Sequence, residues 1–591
     1  MPKAVTERTL LLLLSGVFLL HPEPLRAQGV SPSELLGSRA AAHIMEGQGE
    51  GDLPIKCGFP VMAAVFAERR GAVAPEQRVR PLLMNPRSYA SPGGDFILHF
   101  TLEGVDAVPP EDLDSDSIPD YIEAAAAVLD SIRDGYRELG WRDPIDDGDG
   151  LYDVYFEDLE NLPWGPWFGY TEPVAPTSSL PPYTSASYIS LENDYPEPVY
   201  GHPPLVSLRV TVAHEYHHAI QLAYSLPLIE PEYNHYIWFA ELSAVYHEDI
   251  FYDDINDYYN YLVYFLGAPH LSLTETTGNH MYGAALWAIF LDELHGPETN
   301  RLLWTSMAEH SLRPLEAHES FLSERGHSIL DTYRSLTVWQ LYTGDRASEG
   351  EYFPEGSYYP PVRIDSLGSS EEDITLPALS CRYYASLPEA SAGGTALMLH
   401  PLISSEWGAG IAGGLPGGSV AGLATSILDI SISGYGTSVE LYDWTDYAVV
   451  LEWAFTGVNL DTVTGLSAQK EARIRTAYSE KLTMQAFEDE SLELHQNYPN
   501  PFRPEEHIET YFAFYLNESA PVDLEIRSLS GKLLWSHHME ARDRPGHTYT
   551  GDLGIGWDGR DDSGRLVPSG VYLVIARSGG VTKARKMSVI R

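Results

Sequence analysis

Cysteine is almost absent from this sequence: Cys57 and Cys381 are the only two in 591 residues. That excludes a disulfide-dense scaffold and leaves one bridge, whose default pairing in an exported protein is Cys57 with Cys381. Positive charge is scarce as well, with 37 Lys plus Arg against 84 Asp plus Glu and a net charge of −47. No basic face that neutralises phosphates can be built from that balance, so nucleic acid is excluded as a partner. Long apolar runs are also missing: beyond residue 20 no stretch reaches about 18 apolar residues, and no transmembrane segment is expected. What is plentiful is acid dispersed among 44% hydrophobic residues, a composition of folded domains rather than of disorder. The length allows three or four domains.

Residues 1–27 carry Lys3 and Arg8, an apolar run from Leu10 to Leu20, and then Pro22, Pro24 and Arg26-Ala27. This is the layout of a signal peptide cleaved after Ala27, which makes the mature protein secreted or surface-attached. Residues 28–94 are rich in Gly, Ala and Pro and read as a propeptide or N-terminal extension.

The richest chemistry lies in 208–224. Leu208, Val212, Ala219 and Leu222 recur at helical spacing and predict one amphipathic helix. Within it, His214-Glu215-Tyr216-His217-His218 is an HExxH motif. His214 and His218 leave one face a turn apart and can share a metal, and Glu215 beside them can take a proton from a water that the metal activates. A third His at the position used by metzincins is missing, since Gln221 and Tyr224 stand there. A second helix offers Glu241 instead, inside an apolar stripe of Trp238, Leu242 and Val245. A carboxylate on that face is costly unless paired or metal-bound, and it would complete a His2Glu zinc site with one open position. Glu248 is a candidate to orient a ligand histidine.

HEYHHAIQ followed by WFAELSAVYHED resembles the gluzincin-type secreted bacterial zinc metallopeptidases, departing from their second motif at Leu242 and Tyr246. Thr277-Gly278-Asn279-His280-Met281-Tyr282-Gly283 opens the next helix, as in that group. The resemblance implies a zinc endopeptidase acting on protein or peptide substrates, with zinc on His214, His218 and Glu241 and with Glu215 as general base. Tyr282 or His280 would donate to the oxyanion. Pro54 to Pro60, with Cys57 at its centre, is similar to the cysteine-switch segment of matrix metalloproteinase propeptides, where a thiolate fills the open zinc position.

Asp112, Asp114, Asp116, Asp120 and Glu123 stand at loop positions 1, 3, 5, 9 and 12, the ligand spacing of an EF-hand. Position 6 is Ser117 rather than Gly. So many carboxylates repel one another without a cation, so this is a candidate calcium loop. The acid-rich Asp143 to Asp153, turn-like at Asp147-Gly148, reads equally as an ordinary turn or as a second calcium loop.

Strands are expected at Phe96–Phe100, 152–156 and 187–191, and helices at 121–139, 208–224, 237–250, 255–266 and 282–295. Together they make an α+β, zincin-like catalytic domain over 95–345. After 350 short strands recur at 374–376, 396–399, 427–432, 439–442 and 448–453, predicting a β-sandwich domain over 350–480. Residues 490–591 add strands at 522–526, 532–535 and 570–574. The succession NYPNPF, SGK, WDGRDDSG and PSGVY, with a basic end at Lys583, Arg585 and Lys586, resembles the C-terminal sorting domain of type IX secretion cargo. That implies an immunoglobulin-like β-sandwich and the type IX secretion machinery as partner. The competing readings are a non-enzymatic adhesin with a vestigial zinc site and a zinc hydrolase acting on other bonds.

Overall fold

The computed structural model describes residues 54–68 and 81–591 apart from short stretches, the longest being 177–183, 225–233, 387–393, 428–437, 458–469 and 479–491. The expected signal peptide, 1–27, lies outside the described residues. The chain is mixed α/β with several sheets and divides into two compact units, 1–233 and 234–591. The stretch expected as one catalytic domain, 95–345, therefore has its two halves in different units.

The first unit is built on a five-stranded sheet of β1 (Arg87–Ala90), β2 (Phe96–Phe100), β3 (Tyr152–Glu157), β4 (Gly169–Pro176) and β5 (Ser185–Glu192), in the order β1-β2-β3-β5-β4. β2, β3 and β5 run parallel, and β1 and β4 lie antiparallel at the two edges. β5 is buried at every position, as a parallel strand covered on both faces must be. Two prolines and a bulge near Pro173 confine β4 to an edge and hide it from a reading by strand pattern.

α1 (Phe59–Glu68) precedes the sheet, and α2 (Asp120–Glu138) and α4 (Pro204–Tyr224) flank a short α3 (Glu197–Tyr200). α2 buries Ile122, Ala125, Ala126, Leu129, Ile132 and Tyr136 and ends on Gly140, which takes the left-handed φ of +79°. The Tyr136 hydroxyl donates to the Ala213 carbonyl at 3.2 Å, tying α2 to α4. α4 packs against β4 and β5 as well as α2. It is buried all round from Val210 to Tyr224, not amphipathic as its sequence suggested.

The second unit opens with α5 (Asn234–Phe251), α6 (Tyr259–Leu266), α7 (His280–Gly283), α8 (Leu286–His295), α9 (Thr299–His310), α10 (Pro314–Ser323) and α11 (Ile329–Leu341). The single helix expected over 282–295 is two, with Gly283 pressed so close to α6 that a Cβ there would meet the Tyr261 carbonyl at 2.4 Å. Two sheets follow: β6 (Ile364–Ser366), β8 (Cys381–Ser386), β10 (Trp407–Gly414), β11 (Val420–Ile427) and β13 (Val449–Thr456) in the order β11-β10-β13-β8-β6, and β7 (Glu371–Leu376), β9 (Gly394–Pro401), β12 (Ser438–Tyr442) and β14 (Lys470–Tyr478) in the order β12-β9-β14-β7. They pack together through β10 and β11 on β9 and β12. β10 (Trp407–Gly414) was invisible in the sequence because it is half glycine. Gly408 and Gly410 are there because a Cβ would strike the Phe455 and Trp453 rings at 2.1 and 2.2 Å. Trp453 on β13 (Val449–Thr456) and Tyr383 on β8 (Cys381–Ser386) bond to Thr337, which joins this sheet to α11. The expected strand at 427–432 lies mostly outside the described residues.

Near the C-terminus come the short strands β15 (Leu492–Leu494), β16 (Thr510–Phe512), β17 (Phe514–Leu516), β20 (His547–Tyr549) and β21 (Ile555–Trp557). The longer β18 (Val522–Ser528), β19 (Leu533–Met539), β22 (Gly570–Ser578) and β23 (Val581–Val589) form a sheet in the order β19-β18-β22-β23. Phe502 and Trp557, from the NYPNPF and WDGRDDSG motifs, lie in one core with Leu524, Val574 and Val589. Trp557 Nε1 donates to the Arg560 carbonyl, and Gly559 turns the chain at φ +83°. Lys583, Arg585 and Lys586 all stand on β23. Among the described residues no helix is long and apolar enough to cross a membrane.

Candidate metal centre

The HExxH stretch occupies the middle of α4, and the rise of the helix puts His214 and His218 one above the other. Their Nε2 atoms face each other at 3.1 Å. Two imidazole nitrogens each about 2.0–2.1 Å from one tetrahedral zinc would stand about 3.3 Å apart, so the pair fits a shared metal. The Nδ1 atom of His218 lies 2.8 Å from Gln221 Oε1. An amide oxygen can only accept, so Nδ1 carries the hydrogen and Nε2 keeps its lone pair for a ligand. Gln221, which closed the metzincin route in the sequence, thus acquires a role as orienter through an i, i+3 contact. His217 turns elsewhere, with its ring 5.6 Å from Tyr136 and 5.0 Å from Trp141.

Glu215 is wholly buried, and burial raises its pKa against the pull of His218, His214, Cys57 and Thr171. The Thr171 hydroxyl on β4 lies 2.8 Å from both Glu215 Oε2 and the Glu215 main-chain carbonyl. Oε1 is buried and takes no hydrogen bond of ordinary length among the described residues. Gly169 lets the strand come this close, since a Cβ there would lie 2.8 Å from Thr211 Cγ2 and 3.2 Å from Glu215 Cγ. Nothing local in the sequence marked Thr171 as a partner of Glu215.

Cys57 completes the cluster in this unit: its sulfur and nitrogen atoms of His214 and His218 lie within 4.8 Å of one another. The expected Cys57–Cys381 disulfide is not formed, and both cysteines are buried. Cys381 sits instead in β8 opposite Phe455, where burial pushes its pKa up.

Glu241 lies on α5 of the second unit and is fully buried, as is Glu248. Tyr282 is buried on α7, its ring 5.4 Å from that of Tyr261. His280 is held from both sides, with Nδ1 3.1 Å from the Tyr264 carbonyl and Nε2 3.0 Å from the Ser272 carbonyl. A neutral ring carries one N–H, so it donates to one of these two carbonyls at a time and anchors the loop between them.

In the acid loop the structure brings Asp112, Asp114 and Asp116 together within 4.8 Å. Ser117, at position 6, has φ +81°, the conformation for which such loops use glycine. Asp120 turns back to accept from the Leu113 N–H at 3.2 Å, and so stands apart from the group of three. Glu123 has its pKa raised by burial and then by Asp116, Asp114, Asp120 and Asp112. Asp146, Asp147 and Asp149 form a similar group in the second turn.

No known family pattern matches the chain, and no curated relative does. Distant structural neighbours include two type IX secretion proteins of Porphyromonas gingivalis. One is PorZ, a bacterial surface component of that system, at 20% identity over 20% of this chain and 14% of its own, with a TM-score of 0.13. The other is latent dimeric PorU, at 16% identity over 38% of this chain and 20% of its own, with a TM-score of 0.17. A Parabacteroides merdae β-glucuronidase is matched at 9% identity over 35% of this chain and 27% of its own, with a TM-score of 0.15. The chain thus spans well under two thirds of each neighbour, and likeness at this level carries no argument about activity.

Proposed function

We propose that this protein is an exported zinc-dependent endopeptidase with a zincin-like catalytic region, carried by a C-terminal type IX sorting domain. The observation that carries the reading is the facing Nε2 pair of His214 and His218 beside the buried Glu215. From the sequence we assign Glu241 as the third protein ligand. When bound, zinc would supply Lewis acidity to a water and to the scissile carbonyl. Glu215, steadied by Thr171, takes the proton of the attacking water and passes it to the leaving amine. The raised pKa of Glu215 suits that shuttle, because the group must accept and then release a proton. Tyr282 is our candidate oxyanion donor in preference to His280.

The sorting assignment rests on its ordered motifs, with Phe502 and Trp557 sharing one core and Lys583, Arg585 and Lys586 on the last strand. It gives a location at the outer surface or beyond it, and the type IX machinery as partner. Calcium is proposed at Asp112, Asp114 and Asp116, with Asp120 and Glu123 nearby, as a structural ion.

The test is cleavage of an unfolded protein substrate by the mature chain beside Glu215→Gln. Activity that is lost in the variant and blocked by a zinc chelator establishes the peptidase. Equal inactivity of both chains, once the N-terminal segment has been removed, overturns it in favour of a surface adhesin.

A further inference from the structure

The segment before α1 is fixed in place by more bonds than a passing linker needs. Ile55 donates its N–H to the Pro166 carbonyl at 2.8 Å and accepts from the Phe168 N–H at 3.1 Å, forming a parallel bridge opposite Trp167. Gly58 donates to the Gly169 carbonyl at 2.9 Å, at the start of the edge strand β4. A Cβ on Gly58 would lie 2.3 Å from the Trp167 ring, so only glycine allows this approach. Phe59 stacks on the His218 imidazole at 4.1 Å and 15°, and its N–H points at the Cys57 sulfur at 3.2 Å. Cys57 is wholly buried at the centre of these contacts, in reach of both histidines and of Glu215.

We propose that Cys57 is an inhibitory metal ligand: its thiolate closes the coordination of the His214–His218 site, and residues 55–59 cover it, so the chain is made latent. The inference rests on the metal-centre reading above. Coordination needs the thiol to lose its proton to solvent, and the Phe59 N–H is placed to stabilise the resulting anion. A site closed by four protein ligands is structural, whereas the same site relieved of one ligand opens for water. Activation then requires the segment to leave, which breaks the main-chain bonds to 166–169 together with the sulfur–metal bond. Because the sulfur is already a thiolate and the segment is also held by β pairing, a reductant does not release the latch, whereas proteolysis downstream of Cys57 does.

Cobalt(II) in place of zinc tests this on the full-length chain. Wild-type protein is expected to show a near-ultraviolet sulfur-to-cobalt charge-transfer band, lost in Cys57→Ser while the visible cobalt bands persist. Unprocessed Cys57→Ser is also expected to cleave an unfolded substrate that the unprocessed wild type leaves intact. A measurement without any variant supports these: chelation should open Cys57 to iodoacetamide, with Cys381 remaining unlabelled. Visible cobalt bands with no sulfur band, and identical spectra for Cys57→Ser, overturn the latch and leave the metal centre standing. No cobalt bound by the wild type overturns both together.

Discussion

His214 and His218 in the first unit and His247 and His318 in the second are equally buried, yet their rings are held for opposite ends. His247 and His318 each bring Nδ1 to the carbonyl four residues back, of Ser243 at 2.7 Å and of Pro314 at 2.6 Å. The rest of the His318 ring meets Trp238, Phe239 and Trp287, and burial pushes the pKa of both histidines down to about 4. They are packing residues kept neutral. His218 spends its Nδ1 on a side-chain amide and turns Nε2 toward the Nε2 of His214, with the Cys57 thiol alongside. Burial alone does not separate a ligand from a core histidine; what faces the second ring nitrogen does.

The largest effect expected from this contrast is on metal content. His214→Ala or His218→Ala should take zinc, measured by elemental mass spectrometry, from about one per chain to near none. His318→Ala should keep its zinc and lose about 3 kcal/mol of stability instead, as deletion of a buried ring does. Zinc retained by both α4 variants would erase the distinction. Next in size, Glu215→Gln should lower kcat/KM by about 10²–10⁴ with the circular dichroism spectrum unchanged.

Acid should find the packing histidines first. Folded His247 and His318 stay neutral down to about pH 4, whereas in the unfolded chain they protonate near pH 6.5. The unfolded state therefore binds more protons between those values, and stability falls as pH drops from 6.5 to 4. Each contributes a loss of up to about 3 kcal/mol at the lower end. Urea midpoints at pH 7, 5.5 and 4.5 should fall less steeply for His318→Leu than for wild type, and equal slopes would refute the assignment.

Two smaller effects sharpen the first unit's side of the comparison. Thr171→Val removes the hydroxyl beside Glu215 Oε2 and should cost about tenfold in kcat/KM, near the worth of one hydrogen bond to a charged group. Millimolar calcium should raise the melting temperature by about 2–4 °C, an increment that Asp114→Asn abolishes. A calorimetric scan showing no calcium effect on the wild type would remove that ion from the account.

Much of the first unit was legible because its signals are local. The strand at Phe96–Phe100, the helix that ends on Gly140 and the HExxH helix each follow from periodicity or from a capping residue within a few positions. Elements that break local rules to satisfy distant ones were not legible. β4 carries two prolines because it is an edge, and β10 carries glycines because Phe455 and Trp453 lie across it. The amphipathic reading of α4 failed for a related reason, since a helix covered by sheet on one side and by α2 on another has no solvent face for its pattern to report.

By itself the sequence determined the chemistry at hand: two imidazoles one turn apart with a carboxylate between them, which follows from helix geometry and needs no partner. Only the tertiary structure decided what surrounds them. It gave Glu215 to Thr171, locked His280 between two carbonyls, and left Cys57 unbridged beside the histidines rather than bonded to Cys381. The Glu215–Thr171 pair stands 44 positions apart and Cys57 is further still from the histidines, and main-chain pairing, close packing and burial select such contacts with no trace in the nearby sequence.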